Sequence, residues 1–300
     1  MRMSWSRVAV ASALAGMLLG AVGTTSCTRK RDSEPVVAKP AVELSRAKAA
    51  LGSPIDVTYR FTVPAGAPKL TENYRVFVHF VDSNEELMWT DDHEPPVPTS
   101  AWQPGQTVEY RRTVFIPIYP YIGEAAVLVG LYRAADNRRA ALEGEDIGQR
   151  EYKVATLELM PQSENVFLIY KDGWQPAEVA SDNAAIEWQW TKKDAVITFR
   201  NPKRDATLYM QFDARADLFP APQKVTVTVN GQVVDQFDAS ARDPELRKAS
   251  VSAAQFGSAE MAELRISVDT TFVPAMLPGS SMKDTRELGI RVYHVFLEPR

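Results

Sequence analysis

The chain has one cysteine in its 300 residues, Cys27, and so cannot form an intramolecular disulfide. Its three histidines, His79, His93 and His294, lie far apart and outside any H-E-x-x-H or close Cys/His spacing. The sequence also lacks a G-x-S-x-G elbow, a phosphate-binding glycine loop and a G-x-G-x-x-G fingerprint. Because no motif organises a nucleophile or a nucleotide site, we expect a protein that is not an enzyme and uses no cofactor.

An excess of positive charge is missing as well. The 34 lysines and arginines are outnumbered by 38 aspartates and glutamates, which gives a formal net charge of -4. A nucleic-acid-binding protein needs a basic face, so this balance argues against nucleic acid as a partner. Hydrophobic residues make up 45% of the chain and no tract is of low complexity, so buried cores can form. The length suits two domains better than one.

The N-terminal apolar run is shorter than the roughly 20 residues that a membrane-spanning helix needs. It begins at Val8 and ends at Val22, after a short head with Arg2 and Arg7 and before small residues. This arrangement is typical of a secretory signal peptide, which we place at residues 1–26. Its removal would leave 32 basic and 38 acidic residues, because Arg2 and Arg7 leave with it, and the net charge would become -6.

Cys27 stands directly after the small residues that close this apolar run. The position resembles the lipobox of bacterial lipoproteins, in which the cysteine becomes the acylated first residue. The resemblance implies a lipid on Cys27, a membrane anchor and a place in the bacterial cell envelope outside the cytoplasm. The alternative is an incidental thiol in an ordinary signal peptide. Residues 27–41 are charged, contain proline and lack a hydrophobic period, as expected of a flexible tether.

Alternation of apolar and polar residues dominates the next part of the chain. From Ile55 to Val63 every odd position is apolar and every even position is polar, which is typical of a half-buried strand. Val42 to Leu51 is a short helical candidate, but we expect an edge strand there. Similar alternating runs recur at Tyr74 to Val81, Thr107 to Ile116, Ala125 to Tyr132 and Tyr152 to Leu159. The pattern predicts an immunoglobulin-like β-sandwich over residues 42–160.

A second series of alternating runs begins after Pro161. Its clearest signal is Asn230-Gly231 between two such runs, because a type I′ hairpin turn needs positive φ at both central residues. Strands are predicted at Val166 to Tyr170, Ile186 to Thr191, Ala195 to Arg200, Thr207 to Asp213, Lys224 to Val229, Gln232 to Phe237, Leu264 to Asp269 and Ile290 to Leu297. The pattern predicts a second all-β domain, of jelly-roll size, over residues 161–300.

Two stretches carry resemblances to known modules. In the first domain, Pro98-Thr99, Trp102 and Pro104-Gly105 stand between an alternating strand and a strand that ends in Gly130-Leu131-Tyr132. This order resembles the periplasmic β-sandwich modules appended to bacterial membrane glycosyltransferases. In the second domain, the strand from Asp284 to Val292 resembles the closing strand of jelly-roll, carbohydrate-module-like domains. Both kinds of module are non-catalytic, so the resemblances imply fold and cell-envelope context rather than an activity.

The stretch LMWTDDHEPP, residues 87–96, gathers two aspartates, a histidine and a glutamate. Asp91 and His93 would share one face of a strand, where they could hold a divalent cation, but calcium needs six to eight oxygen ligands. The two prolines end the strand, and Trp102 can pin the turn that follows. We therefore expect the solvated corner of a hairpin, with a metal site at Asp91 and His93 as the alternative. His79 and His294 are expected to be hydrogen-bonded core histidines.

Tryptophans are the better candidates for binding a ligand. Trp188 and Trp190 fall on one strand face, Trp174 lies upstream, and Asp182 and Asn183 occupy the loop between them. Indole faces can stack on sugar rings while neighbouring carboxylates and amides bind hydroxyls. The alternative is that the tryptophans fill the core, which we expect for at least one of Trp188 and Trp190 because Ile186 extends their apolar stripe.

Two further groups of residues each have two interpretations. Tyr119 and Tyr121 could present their rings to a partner or cover an open end of the sandwich. Asp284, Arg286 and Glu287 are expected to form a loop-to-strand hydrogen-bond network rather than an active site.

Taken together, the sequence predicts a non-catalytic envelope lipoprotein that acts as a binding or scaffold module connected with surface polysaccharide. The alternative is a structural or protein-interaction subunit that binds envelope proteins and no glycan.

Overall fold

Strands dominate the computed structural model, which describes residues 34–162, 167–181, 186–240 and 242–300. The strands in chain order are β1 (Lys39–Leu44), β2 (Lys48–Ala50), β3 (Pro54–Thr62), β4 (Arg75–Val81), β5 (Leu87–Thr90), β6 (Thr107–Phe115), β7 (Gly123–Tyr132), β8 (Glu145–Asp146), β9 (Tyr152–Met160), β10 (Leu168–Tyr170), β11 (Glu178–Val179), β12 (Glu187–Trp190), β13 (Asp194–Arg200), β14 (Ala206–Asp213), β15 (Gln223–Val229), β16 (Gln232–Ala239), β17 (Glu245–Val251), β18 (Met261–Val268) and β19 (Arg291–Pro299). One short α-helix, α1, spans Ala253–Phe256, and 3-10 turns span Thr99–Ala101, Ala216–Leu218 and Pro274–Met276. Within these residues no helix is long and apolar enough to cross a membrane.

The first nine strands form one β-sandwich. One sheet has the order β1-β3-β6, and the other has the order β2-β9-β7-β4-β5 with β8 beside β9. Alternate residues of β3 face inward, as the sequence predicts, and Tyr59 and Phe61 are fully buried between the sheets. They pack with Val76, Val78 and Phe80 of the facing sheet. This apolar core is what holds the first sandwich together.

The remaining strands form a second β-sandwich. Its sheets have the orders β10-β13-β18-β15-β16 and β11-β12-β19-β14-β17. The predicted hairpin turn is confirmed, because φ is 47° at Asn230 and 79° at Gly231. Ile197 and Ile266 of one sheet share a core with Met210 of the other. The predicted all-β architecture of two sandwiches is therefore confirmed.

The structure also differs from the sequence prediction at several places. The first sandwich begins before residue 42, since Val37 and Ala38 are buried and β1 starts at Lys39. Strands β5, β8, β11 and β17 were not predicted. Val42 to Leu51 is extended rather than helical, as predicted, and provides an edge strand to each sheet of the first sandwich. Pro35–Arg300 forms one compact unit, so the division at residue 161 stays a prediction. The signal peptide and Cys27 lie outside the described residues.

Candidate functional site

The outer face of one sheet of the second sandwich carries the residues that best resemble a ligand site. Trp190 on β12 pairs with Arg291 on β19, which in turn pairs with Asp213 on β14. Their neighbours Phe212 and Val292 lie in the core, so these three side chains project from the opposite face of the sheet. Trp188 projects from the same face because it lies two residues before Trp190.

Arg291 is fixed in place by a buried carboxylate. Its Nε and Nη2 atoms donate to the two oxygens of Asp213 at 2.7 and 2.5 Å, and the Asp213 side chain is only 1% exposed. The hydroxyl of Tyr293 donates to the same carboxylate at 2.7 Å. Burial lowers the pKa of Arg291, but the hydrogen bonds to Asp213 and the negative charge of Asp213 together raise it overall. Burial, followed by the hydrogen bond to Asp213, raises the pKa of Tyr293 above its usual range.

Three aromatic rings surround the guanidinium of Arg291. Its central carbon lies 5.2, 5.5 and 5.8 Å from the ring centroids of Trp188, Trp190 and Tyr293. These distances are within the range of cation–π attraction. The rings of Trp188 and Tyr293 are themselves 6.0 Å apart and tilted by 57°. We call this set of residues the aromatic face: Trp188, Trp190, Asp213, Arg291 and Tyr293.

The two tryptophans of β12 have different environments. Trp190 is 7% exposed because it packs edge-on against Phe272 at 5.7 Å in a small apolar cluster on the outer face. At least one of the pair is therefore buried, as expected, but outside the core between the sheets. Trp188 is half-buried, and its Nε1 is shielded from solvent without a hydrogen-bond partner among the described residues. The predicted apolar stripe from Ile186 to the tryptophans was wrong, because Ile186 is 43% exposed.

Trp174 packs against the core of the second sandwich instead of joining the aromatic face, and it has a structural role. Its Nε1 donates to the carbonyl of Val196 at 2.9 Å, and its ring packs edge-on against Tyr170 at 4.8 Å. The turn before it requires Gly173, because a Cβ atom there would lie 1.7 Å from the carbonyl oxygen of Asp194. Asp182 and Asn183 lie outside the described residues.

Loop residues border the aromatic face near Trp188. Arg286 pairs with Asp284, and its Nη1 donates to Glu178 at 2.5 Å on the strand beside β12. Glu287 accepts a hydrogen bond from the hydroxyl of Thr271 at 3.0 Å. The predicted loop-to-strand network of Asp284, Arg286 and Glu287 is thus confirmed, and it ties the closing loop to the sheet.

Asp91 and His93 belong to a largely buried network, so the prediction of a solvated corner was wrong for these two residues, whereas Glu94 and Pro96 are exposed. His93 is only 5% exposed and forms a β-bridge with Val76 on β4. Asp91 binds Arg112 through two hydrogen bonds, at 2.8 and 3.0 Å, and accepts a third from Tyr59 at 3.0 Å. The cluster is buried because β5 and the residues after it pair with β4, a contact that the local pattern does not reveal.

The hydrogen bonds of His93 define its tautomer. Nδ1 lies 2.6 Å from the carbonyl oxygen of Asp91 and must donate to it, so Nε2 accepts from the hydroxyl of Tyr110 at 2.7 Å. Burial lowers the pKa of His93 to about 4, and the nearby Arg112 acts in the same direction. His93 is therefore neutral at pH 7.

Asp91 and His93 do share one side of the chain, as predicted, and both face Tyr59. Among the described residues no group of three or more His, Cys, Asp or Glu side chains is placed to hold a metal ion. Trp102 pins the following turn as predicted, since its Nε1 donates to the carbonyl of Val97 at 2.9 Å.

Neither of the other two histidines lies in a sandwich core, so the prediction of core histidines was wrong for both. His79 is partly buried beside Glu151, with Nδ1 3.3 Å from the carboxylate, on the face of β4 that points away from the first core. His294 is exposed, so its prediction as a core residue was wrong, and its ring stacks on Phe115 at 4.5 Å. Tyr119 and Tyr121 pack against the first core, which favours the covering role.

Sequence reasoning missed Asp213, Arg291 and Tyr293. Asp213 ends a predicted strand and Arg291 begins another, but they are 78 residues apart and only the strand register brings them together. A charged residue at the end of an apolar strand was the one available signal.

No family model matches the chain, and no curated protein matches it. One similar solved structure is the CBM22-1-CBM22-2 tandem domain of Paenibacillus barcinonensis Xyn10C, 10% identical with a TM-score of 0.28 over 88% of this chain and 92% of that one. Another is the CBM51-2 and INT domains of Clostridium perfringens ZmpB with GlcNAc, 12% identical with a TM-score of 0.25 over 87% and 48%. A third is the isomalto-dextranase of Arthrobacter globiformis T6 complexed with panose, 10% identical with a TM-score of 0.27 over 84% and 35%. Likenesses this distant carry no argument about function.

Proposed function

We propose that this protein is a non-catalytic glycan-binding protein of the bacterial cell envelope and that it binds sugar on the aromatic face. The observation that carries the proposal is the half-buried pair Trp188 and Tyr293, which lie 6.0 Å apart beside a fixed guanidinium. Aromatic rings offer apolar faces to sugar rings, and a few polar groups nearby fix the orientation of the bound molecule.

The polar groups of the face suit hydroxyl-bearing ligands. Nε1 of Trp188 is a donor without a partner in the described part of the chain. A buried donor left unpaired costs about 1–3 kcal/mol, so an acceptor oxygen from a ligand would be favoured there. Arg291 uses Nε and Nη2 for Asp213, which leaves Nη1, with no partner among the described residues, for an incoming oxygen. Because Asp213 holds the guanidinium still, little side-chain entropy would be lost on binding.

The envelope location is proposed from the N-terminal sequence. The signal peptide and Cys27 would place a lipid anchor at the start of the mature chain, followed by the charged tether. A lipid-anchored module with a sugar-binding face would hold surface polysaccharide near the membrane. The resemblance of the first sandwich to the periplasmic modules appended to membrane glycosyltransferases remains a prediction from the sequence, and it agrees with an envelope location.

Isothermal titration with soluble oligosaccharides tests the proposal. Cello-, malto-, xylo- and chito-oligosaccharides would be titrated into the mature chain, into Trp188→Ala and into the control Tyr119→Ala. We expect at least one series to bind the wild type and the control, and Trp188→Ala to lose affinity about tenfold or more, as for an aromatic anchor. Equal affinities of all three folded proteins would exclude the aromatic face as the binding site.

A protein-interaction role is the second candidate, favoured by the loop between β6 and β7. Ile118 is 70% exposed and Ile122 is 58% exposed, so the loop presents two large apolar side chains to solvent. Sedimentation velocity of the wild type and of the Ile118→Ser, Ile122→Ser double variant would test self-association through this loop. Association of the wild type that is lost in the variant would favour this role.

A further inference from the structure

The aromatic face is one end of a longer surface. Tyr209 and Gln211 on β14 lie on the same side of the sheet as Asp213, because Met210 and Phe212 between them face the core. Gln211 pairs with His294, and Tyr209 pairs with Phe296 on β19. A bulge between Gln211 and Phe212 turns both Tyr293 and His294 away from the core. The surface therefore continues along β14 and β19 beyond Tyr293.

The first sandwich contacts this surface at its middle, through His294, and at its far end, through Glu298. Phe115 at the end of β6 stacks on the ring of His294, with centroids 4.5 Å apart and planes within 18°. Arg46 pairs with Glu298 at 2.8 Å, and Asp56 pairs with Lys248 at 2.8 Å. The contacts between the sandwiches thus lie on the same outer face that carries the aromatic cluster.

A polar cleft of about 260 Å³ lies at this junction. Its lining residues come from both sandwiches: Ser45, Arg46, Pro54, Asp56, Tyr209 and Glu298. Nη1 of Arg46 binds Glu298 and Nη2 binds the carbonyl of Pro54, whereas Nε is buried without a partner in the described part of the chain. The cleft therefore has one unsatisfied donor beside two carboxylates, Asp56 and Glu298, that already accept hydrogen bonds from Lys248 and from Arg46 and Tyr209. Polar groups of this kind suit a hydroxyl-rich ligand.

The distance between the two ends of the surface fits an extended ligand. Seven positions separate Arg291 from Glu298, and one of them is taken up by the bulge, so the span along β19 is about 20 Å at about 3.3 Å per residue. The middle of the span is lined by the amide of Gln211, which has no side-chain hydrogen bond in the described residues, and by His294, whose ring stacks on Phe115 of the first sandwich.

We propose that the two ends form one extended site, in which an oligosaccharide stacked on Trp188 and Tyr293 runs past Gln211 and His294 into the cleft beside Arg46. The inference rests on the proposed glycan-binding function and adds that the first sandwich supplies part of the site. Each sandwich alone would then bind only a fragment of the ligand, and affinity would depend on the length of the sugar chain.

The test measures affinity against chain length by titration. The oligosaccharide series that binds in the panel above would be used from disaccharide to hexasaccharide. We expect the affinity of the wild type to rise with length. Arg46→Ala should lose about tenfold for the hexasaccharide, the loss expected for one or two hydrogen bonds, and should bind the disaccharide unchanged. Trp188→Ala should lose affinity at every length.

Lys248→Ala is the matched control, because it removes the other ion pair of the junction while leaving the donors of the cleft in place. Its hexasaccharide affinity should stay close to that of the wild type, and small-angle scattering should show the same envelope for both variants. Affinity independent of length but sensitive to Trp188→Ala would overturn the extended site and leave the proposed function standing. Absence of binding at every length would overturn both.

Discussion

Nε2 of His93 and the hydroxyl oxygen of Tyr110 are 2.7 Å apart inside the first sandwich, and this ring nitrogen accepts the hydrogen bond that the hydroxyl donates. The other ring nitrogen already donates to the carbonyl of Asp91. A second proton on the ring would therefore remove the acceptor of Tyr110 and place a charge in a buried position close to Arg112. The network is built for a neutral histidine.

This predicts a loss of stability between about pH 6.5 and pH 4. The pKa of His93 falls from 6.5 to about 4 on folding, so the unfolded chain takes up the proton first as the pH is lowered. Stability from this group is present above pH 6.5 and is lost as the pH falls toward 4, by up to about 3 kcal/mol at about 1.4 kcal/mol per pKa unit. Thermal melting of the wild type, His93→Gln and the control His79→Gln across this range checks it. Because burial also lowers the pKa of His294 to about 4, His93→Gln should reduce the slope rather than abolish it. A slope in His93→Gln that equals that of the wild type would count against the assignment.

The ion pair of Asp91 should matter far more than a surface pair. Asp91→Ala removes the acceptor of Tyr59 and of Arg112, so we expect a cost of about 2–4 kcal/mol in the free energy of unfolding. The control Glu109→Ala breaks an exposed pair with Arg60 and should cost under about 1 kcal/mol. Urea unfolding gives the free energy of unfolding of both variants. Similar losses in the two variants would show that the Asp91 network adds no more stability than an exposed ion pair.

Trp190 is predicted to stabilise the second sandwich. Its truncation to alanine should cost about 3–5 kcal/mol, the usual loss for a buried aromatic side chain. Trp188→Ala should cost less, because Trp188 is half-buried and its Nε1 has no hydrogen bond to lose within the described residues. If Trp188→Ala lowers the free energy of unfolding more than Trp190→Ala does, then Trp188 is the structural residue of the pair and the assignment is wrong.

The anchor prediction concerns Cys27. After signal cleavage, Cys27→Ser should move the protein from the membrane fraction to the soluble fraction, since the acylated thiol would be the attachment point. Fractionation with immunoblotting, together with mass spectrometry of the mature N-terminus, checks this. A cleaved variant that still requires detergent for extraction would refute lipid attachment at this residue.

The alternation of apolar and polar residues predicted most strands, because alternate burial along a strand shows directly in adjacent residues, as in Ile55 to Val63. It missed β17, whose sequence ELRKASV has too few apolar residues to show alternation. It also placed His93 in solvent, because its burial depends on pairing with Val76 across the sheet. Only part of the aromatic face was predicted. Trp188 and Trp190 are close in sequence, whereas Asp213, Arg291 and Tyr293 are brought beside them by the pairing of strands that are distant in sequence.

Sugar binding at Trp188 is tested most directly by the indole N–H signals of the tryptophans in a proton–nitrogen NMR titration with a binding oligosaccharide. The Trp188 signal, assigned with Trp188→Phe, should shift most strongly, since its Nε1 would gain an acceptor. The signal of Trp102, which already donates to Val97 in the first sandwich, should stay in place. If the Trp188 signal stays unmoved at saturation while other indole signals shift, sugar does not bind at Trp188.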